Sequence, residues 1–401
     1  MSQMSVAIVG AGIAGLAFAA ALQRAGVDFH IYEQAPRLSE VGAGVQLAPN
    51  AARELHRLGL AEALATVAVA PQAIEIRRWD DGTSLQRTPL GAECVARFGA
   101  PYYTLHRADL HSALLSLLPL KRVHLAARCV AVTPRADSVR LDLSNGTTVV
   151  ADLVVGADGI HSVVREHLAP DRPRYSGQTI YRGLVPAERV PHLLTEPRVQ
   201  LWFGPGRHCV CYPVSAGRLV SFGATVAEPD WREESWSAQG SVRELTSSYM
   251  GWHEDVTRLI GAAEAVSRWA LHDRESLPRL QSGRVAVIGD AAHPMLPFRA
   301  QGANQAIEDA VSLARFLAEA GRCGLREALL AYEHLRFPRT NRIQRESRDS
   351  ARTFHLADGD AQRQRDDGAR ASSSLGDQQW LFGYDADQAA TNRATLARDI
   401  G

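Results

Sequence analysis

The chain has 401 residues, 46% hydrophobic and 22% charged, and its 44 basic and 44 acidic side chains cancel. This is the composition of a globular protein with room for two packed units, and it leaves no basic field for nucleic acid or anionic lipid, so neither is an expected partner. Lys121 is the only lysine, and five cysteines (Cys94, Cys129, Cys209, Cys211, Cys323) without CxxC or Cys/His spacing predict neither a disulfide framework nor a metal site and fit a reducing cytoplasm.

Residues 5–9, Ser-Val-Ala-Ile-Val, run into a glycine and predict a short buried strand. Gly10-Ala-Gly12-Ile-Ala14-Gly15 follows, then an alanine-rich helix over 16–25 that Gly26 ends, then a second strand over 28–33 closing on Glu33. Strand, glycine turn, helix, strand and acid in this order form a dinucleotide-binding βαβ unit. Gly10 permits the tight turn, Gly12 lets the backbone approach a pyrophosphate, and Gly15 lets helix and strand pack closely. The helix N-terminus offers free N–H groups and a partial positive charge to the phosphates, and Glu33 would accept hydrogen bonds from ribose hydroxyls. The apolar run 6–22 lacks a charged flank and reads as this turn, not as a signal or membrane segment. The motif by itself does not separate NAD from FAD.

Further along, 50–58 and 105–118 read as helices, the second with His106 and Arg107 near its start, and 73–79 reads as a strand. Asn145-Gly146 between apolar runs at 138–143 and 147–151 predicts a hairpin. Residues 175–270 alternate in strand-like runs (199–203, 208–214, 219–224) and are rich in aromatic residues, which predicts an antiparallel sheet. On the 208–214 run, period two puts His208, Val210 and Tyr212 on one face and Cys209 and Cys211 on the other. Residues 283–289 read as another buried strand, 303–320 as a helix with Ile307, Val311, Ala314 and Leu317 on its apolar face, and 325–350 as a long helix. The polar stretch 356–379 reads as a mobile loop.

Two more segments pair glycine with aspartate. One is Asp152-Leu-Val-Val-Gly156-Ala157-Asp158-Gly159, running on to His161, Ser162 and Arg165. The other is Gly289-Asp290-Ala-Ala-His293-Pro294-Met-Leu-Pro297-Phe298, running on to Gln301-Gly302-Ala303-Asn304. With the first motif they resemble the three fingerprints of the class A flavoprotein monooxygenases over nearly the whole chain. Ser39-Glu-Val-Gly-Ala-Gly-Val45-Gln46-Leu-Ala-Pro-Asn50, Tyr181-Arg182-Gly183 and Trp380-Leu-Phe-Gly-Tyr384-Asp385 are most similar to salicylate hydroxylases and 6-hydroxynicotinate 3-monooxygenases. The resemblance implies an α/β fold: an FAD-binding Rossmann-like domain of the glutathione-reductase type at 1–174 and 271–325, an inserted antiparallel-sheet substrate domain at 175–270, and a C-terminal helical region and tail at 326–401. It implies FAD as cofactor, NADH or NADPH and O2 as co-substrates, a small aromatic or heteroaromatic substrate, and a cytoplasmic monomer or homodimer. The lack of a second glycine motif fits a nicotinamide nucleotide that binds without a fold of its own.

The resemblance also assigns residues. Asp290 matches the aspartate on the ribitol hydroxyls, Arg107 resembles an arginine on the pyrophosphate, and the backbone at Cys129 falls where the family touches adenine. Gly302, Ala303 and Asn304 would bring a helix N-terminus to the flavin N1/C2 edge, where its dipole stabilises the reduced anionic ring. The implied cofactor set also takes in Ala14, Gln34, Val45, Asp158 and Pro297. In such enzymes a flavin C4a-hydroperoxide attacks an electron-rich ring while the protein excludes water and orients the substrate. His208 and Tyr212 resemble a pair lining the 6-hydroxynicotinate pocket, Tyr212 as partner of the substrate hydroxyl and His208 as polar wall or base. The competing reading is a core histidine and a packed tyrosine.

Gln46 stands where those enzymes carry a histidine base, and Phe298 where many salicylate-type enzymes carry another. Neither can take a proton near neutral pH. Either His208 takes over, or the substrate is itself nucleophilic, as an indole, aniline, pyrrole or polyphenol would be. Arg182 reads equally as partner of a substrate carboxylate and as an interdomain contact. A flavin oxidase or dehydrogenase on this fold, and a non-catalytic FAD-bound redox partner, are the alternatives; a flavin halogenase needs an early lysine, which this chain lacks.

Overall fold

The computed structural model describes residues 4–38, 43–228, 238–319, 324–371 and 375–399. Residues 39–42 of the glycine-rich segment and Cys323 lie outside the described residues. The chain begins with β1 (Ser5–Val9), α1 (Ile13–Ala25) and β2 (Asp28–Tyr32), close to the predicted βαβ unit. Residues Gly15–Leu22 of α1 are all buried, because the helix is wedged between the sheet and a later helix. Next come β3 (Gly44–Leu47), α2 (Pro49–Arg57, with proline in its first turn), α3 (Ala61–Val67), β4 (Ala73–Arg78), β5 (Ser84–Pro89) and α4 (Gly91–Phe98). Then follow β6 (Tyr103–His106) and α5 (Arg107–Ser116). The helix expected over 105–118 therefore starts later: Leu105 and His106 pair with Val45 and Gly44 of β3, a ladder that local periodicity cannot reveal.

Beyond these lie β7 (Val123–His124), β8 (Cys129–Pro134), β9 (Val139–Leu143), β10 (Thr148–Ala151), β11 (Leu153–Gly156) and α6 (Val163–Glu166). The β9–β10 hairpin turns at Gly146, whose φ of +83° suits glycine. The aromatic-rich region supplies β12 (Arg174–Pro186), β13 (Arg198–Gly204), β14 (Arg207–Val214), β15 (Leu219–Ala227), β16 (Gln239–Gly240), α7 (Val242–Ser248), α8 (Glu254–Gly261) and β17 (Val266–Asp273). The chain closes with β18 (Gln281–Ser282), β19 (Val285–Val287), α9 (Gly302–Ala318), α10 (Leu325–Phe354), α11 (Asp360–Ala371), α12 (Gln379–Phe382) and α13 (Ala386–Asp399).

A six-stranded sheet of order β18-β19-β11-β1-β2-β7 holds the glycine turn at the C-terminal ends of its parallel strands. An eight-stranded sheet of order β16-β17-β12-β15-β14-β13-β4-β5 stands against it. That sheet is not confined to 175–270: β4 and β5, expected with the nucleotide-binding unit, join its edge because β4 pairs in parallel with β13. Its outer face packs Tyr181, Phe222, Cys209, Cys211 and Trp202 under α7 and α8. The stretch 356–379 is not a loop. Residues 360–371 form α11, tied by Asp360–Arg363 and Asp367–Arg370 pairs and by Gln362 and Asp366, both buried, with Arg78 paired to Asp366. Polar composition is compatible with a helix once such pairs form.

Candidate active site

The first half of the site grows from the glycine turn. A Cβ on Gly10, at φ +102°, would fall 2.5 Å from the Ala157 carbonyl oxygen, and one on Gly15 would fall 2.0 Å from the Gly10 carbonyl oxygen. Gly12 has no atom within 4 Å of that position, so open space lies over the first turn of α1. Glu33 accepts from the Ala11 N–H at 2.7 Å and the Ala35 N–H at 2.8 Å, one on each carboxylate oxygen. Each oxygen keeps a second lone pair. Gln34 is exposed at the same strand end, and Val45 is half-buried on β3.

The third motif meets the first. A Cβ on Gly289 would lie 2.9 Å from that of Ala14. Asp309, buried on α9, fixes this turn by accepting from the Gly289 N–H at 2.9 Å, His293 Nε2 at 2.6 Å and Arg336 Nε at 2.8 Å. Burial pushes its carboxyl up, but His293 and Arg336 outweigh that and hold it below the usual range. Asp290 consequently projects away from the turn. It is exposed by area yet closely ringed by protein, as in a cleft: burial raises its pKa, opposed by Arg107 and His293. Its Oδ1 lies 3.9 Å from where a Gly302 Cβ would stand, so Asp290 and the N-terminus of α9 face one hollow. Pro297 begins the short turn that leads into α9.

Two side chains expected at the cofactor also make contacts within the protein. The Asn304 side chain accepts from the Ala48 N–H at 2.8 Å and donates to the Gln46 carbonyl at 3.0 Å and the Ala300 carbonyl at 2.7 Å, so only its backbone N–H remains at the helix end. Asp158 caps α6, accepting from the Ser162 hydroxyl at 2.5 Å and the Val163 N–H at 2.8 Å. The Cys129 thiol is buried in the core.

The second half of the site is the inner face of the eight-stranded sheet. Cross-strand rows there read Arg182, Gly223, Val210, Leu201 and, one step along, Leu184, Ser221, Tyr212. His208 pairs with Phe203 and touches Thr225 in the next row. The predicted division of β14 into two faces is thus observed. His208 and Tyr212 stand about 13 Å apart along the strand, room for one aromatic ring between them.

Tyr212 is buried, and a Cβ on Gly44 would fall 2.5 Å from its ring. Burial raises its pKa, while Arg182 by its charge and Gln46 and the Ser221 hydroxyl by hydrogen bonding pull it down. Gln46 Oε1 accepts from the Tyr102 hydroxyl at 2.7 Å. The Arg182 guanidinium sits 5.1 Å over the Trp269 ring. Burial lowers its pKa, Tyr212 raises it and Arg107 lowers it, and no described carboxylate pairs with it. Arg182 is half-buried, whereas the fully buried Arg165, Arg274 and Arg336 are compensated, the first two by Asp171 and the third by Glu308 and Asp309. Phe298 is buried with its edge toward His208.

Tyr102, Ser221, Trp269 and His355 were not expected in the site. Period two along 219–227 would have placed Ser221; the others reach it through pairings of distant segments. The Trp380–Asp385 motif is a strap. Arg57 pairs with Asp385 at 2.6 Å, Arg339 bonds the Trp380 and Leu381 carbonyls, and Phe382 lies 5.8 Å from Tyr102 between ring centroids.

A dinucleotide cradle opening onto a closed aromatic face, with a single nucleotide-binding motif, defines a flavin-dependent hydroxylase. Residues 3–347 match the FAD binding domain family, and the chain belongs to it. It is 50% identical over 381 residues to the 3-amino-4-hydroxybenzoate 2-monooxygenase of Streptomyces platensis, covering 95% of this chain and 96% of that protein. It is 37% identical over 348 residues to the 6-hydroxynicotinate 3-monooxygenase of Bordetella bronchiseptica, covering 86% and 91%. A salicylate hydroxylase in its substrate complex superposes with a TM-score of 0.83 at 28% identity, covering 98% of both chains. The chain is an FAD-dependent aromatic monooxygenase that uses NAD(P)H and O2. The open space over Gly12, Asp290 in its cleft and the two helix ends fit that cofactor. Among the described residues no helix is long and apolar enough to cross a membrane.

Proposed function

We propose that the substrate is a benzoate bearing a ring hydroxyl and an amino group, of the kind named for the Streptomyces relatives, and that Arg182 binds its carboxylate. The observation that carries this reading is a half-buried guanidinium, closely ringed by protein, with no described acidic partner and set over an aromatic side chain. A charge ringed by protein without compensation is unfavourable, and a substrate carboxylate supplies the compensation. An aminophenol ring also suits a pocket with Gln46 and Phe298: amino and hydroxyl groups both donate electrons into the ring, so oxygen insertion relies less on a strong base at those positions. Tyr212, coupled to Arg182 and set beside Gln46 and Ser221, stands at the carboxylate end of the ring, and Gln46, held by Tyr102, borders it.

FAD, once bound and reduced, would activate O2 for transfer of one oxygen atom to the ring. The protein's part is to hold FAD and aim the ring. Glu33 accepts from the ribose, the backbone at Gly12 meets the pyrophosphate with Arg107 near it, and Asp290 accepts from the ribitol. The first N–H groups of α9 face the flavin's polar edge. Residues 1–174, less β4 and β5, together with 271–325 form the cofactor unit, and the large sheet forms the substrate unit. The free thiols of Cys94, Cys129, Cys209 and Cys211 support a reducing, cytoplasmic setting.

Substrate-stimulated NAD(P)H oxidation with product mass tests the reading. Wild type is expected to add one oxygen to 3-amino-4-hydroxybenzoate and to discriminate against its neutral amide. Arg182→Met should keep full flavin absorbance while KM for the acid rises about 100-fold, the worth of one charged hydrogen-bonded contact of roughly 2–3 kcal/mol. Equal activity of wild type on acid and amide would remove Arg182 from substrate binding.

A further inference from the structure

One pair of side chains on the inner sheet face is unused by these contacts. His208 Nδ1 lies 2.8 Å from His355 Nε2, with the rings stacked at 5.1 Å and 24°. They come from distant elements, His208 from β14 and His355 from the residue that ends α10. The Thr225 hydroxyl lies 3.1 Å from the first nitrogen and 3.4 Å from the second, and its oxygen accepts the His208 backbone N–H at 2.9 Å. The Phe298 ring stands near perpendicular to both imidazoles, with ring centroids 5.2 and 5.7 Å away. His208 is 4% exposed and His355 is half-buried, so the pair leads from the pocket outward. Burial keeps both rings neutral, holding His208 well below its ordinary value and His355 at about 4.

Two neutral imidazole nitrogens at this distance share one hydrogen, since two lone pairs or two N–H groups would repel. If His208 Nδ1 holds it, His208 Nε2 is a proton acceptor; if His355 holds it, His208 Nε2 carries a hydrogen. Moving one proton across the contact therefore switches His208 between base and acid. Gln46 and Phe298 cannot take up a proton, so a ring hydroxyl that ionises to raise the ring's electron density sends its proton elsewhere.

We propose that His355 is a positioning residue completing a two-imidazole relay with His208, which takes the substrate hydroxyl's proton out of the pocket and returns one to the product. Outward, the substrate O–H bond breaks as its proton bonds to His208 Nε2. The proton on His208 Nδ1 passes to His355 Nε2, and the proton on His355 Nδ1 passes to water. The reverse transfers protonate the product oxygen, so both rings end each turnover in their starting tautomers. This rests on the reading that the substrate carries a ring hydroxyl.

The test uses the holoenzyme and the best substrate from a panel of hydroxybenzoates headed by 3-amino-4-hydroxybenzoate, with His355→Gln, His355→Phe and His355→Ala. Flavin content and spectral titration with substrate report folding and binding. The expected result is retained FAD, substrate affinity near wild type, single-turnover hydroxylation slowed about 10-fold or more, an altered solvent deuterium isotope effect, and partial rescue of His355→Ala by added imidazole. Unchanged rate and isotope effect in His355→Gln would overturn the relay, as would slowing that follows lost substrate affinity and resists imidazole. If His355→Phe loses flavin, the glutamine and alanine variants decide. Wild type that rejects the aminobenzoate but accepts another panel member overturns the substrate assignment alone; silent His355 variants overturn the relay alone.

Discussion

At the scale of single residues, the site depends on where side chains are missing as much as on those present. Gly44 has no forced backbone angle; its constraint is space, since a Cβ would fall 2.5 Å from the Tyr212 ring and 2.6 Å from Ser221 Oγ. Tyr212 is buried and has nowhere to yield. Gly44→Ala should therefore displace Tyr212, destabilising the protein by about 1–3 kcal/mol and weakening substrate binding with flavin retained. Thermal melts and substrate titration check this, and ordinary substrate affinity would show that the phenol ring can move. Gln46 and Phe298 could be singled out from the sequence as departures from a family pattern. Tyr102, which orients Gln46, sits in no motif, and its role follows only from the β3–β6 pairing that brings it alongside.

At the scale of elements, α9 is the hinge of the site's construction. Its N-terminus faces the Asp290 cleft, while Glu308 and Asp309 bind Arg336 and Arg339 of α10 within the core. Both carboxyls are held below their usual values; burial opposes this, but the arginines, with His293 for Asp309, prevail. A depressed carboxyl contributes stability above its unfolded pKa, near 4, and that contribution is lost as pH falls through the folded value. Asp309→Asn should cost about 3–5 kcal/mol by leaving Arg336 under-compensated, release flavin, and flatten the acid limb of the stability profile. Melting temperature and flavin fluorescence from pH 3 to pH 7 measure this; a variant as acid-labile as wild type would contradict it. The helix itself was legible from its apolar stripe at 307, 311, 314 and 317. The buried charge cluster was not, because nothing local to Glu308 and Asp309 announces Arg336, which reaches them from α10.

At the scale of the molecule, the last segment of the chain closes a site begun by the first. Phe382 packs against Phe98 and Tyr102, and Tyr102 holds Gln46. Phe382→Ala should destabilise by about 3–5 kcal/mol and loosen the pocket wall, so that NAD(P)H consumed exceeds hydroxylated product; a product ratio equal to wild type would show the strap to be structural only. The nucleotide-binding half was readable because strand, turn, helix and acid lie within the 29 residues from Ser5 to Glu33. The substrate half was readable only in part, since β4 belongs to a sheet most of whose strands lie past residue 173. That crossing also bears on how the protein is made. Ala73 finds its partner only when Arg198 has left the ribosome, so the β4–β5 ribbon waits, edge unpaired, through the synthesis of much of the chain. The cofactor unit, which takes β19 and α9 from past residue 284, likewise cannot mature as an independent N-terminal module, and until β13 arrives the β4–β5 ribbon presents an aggregation-prone edge.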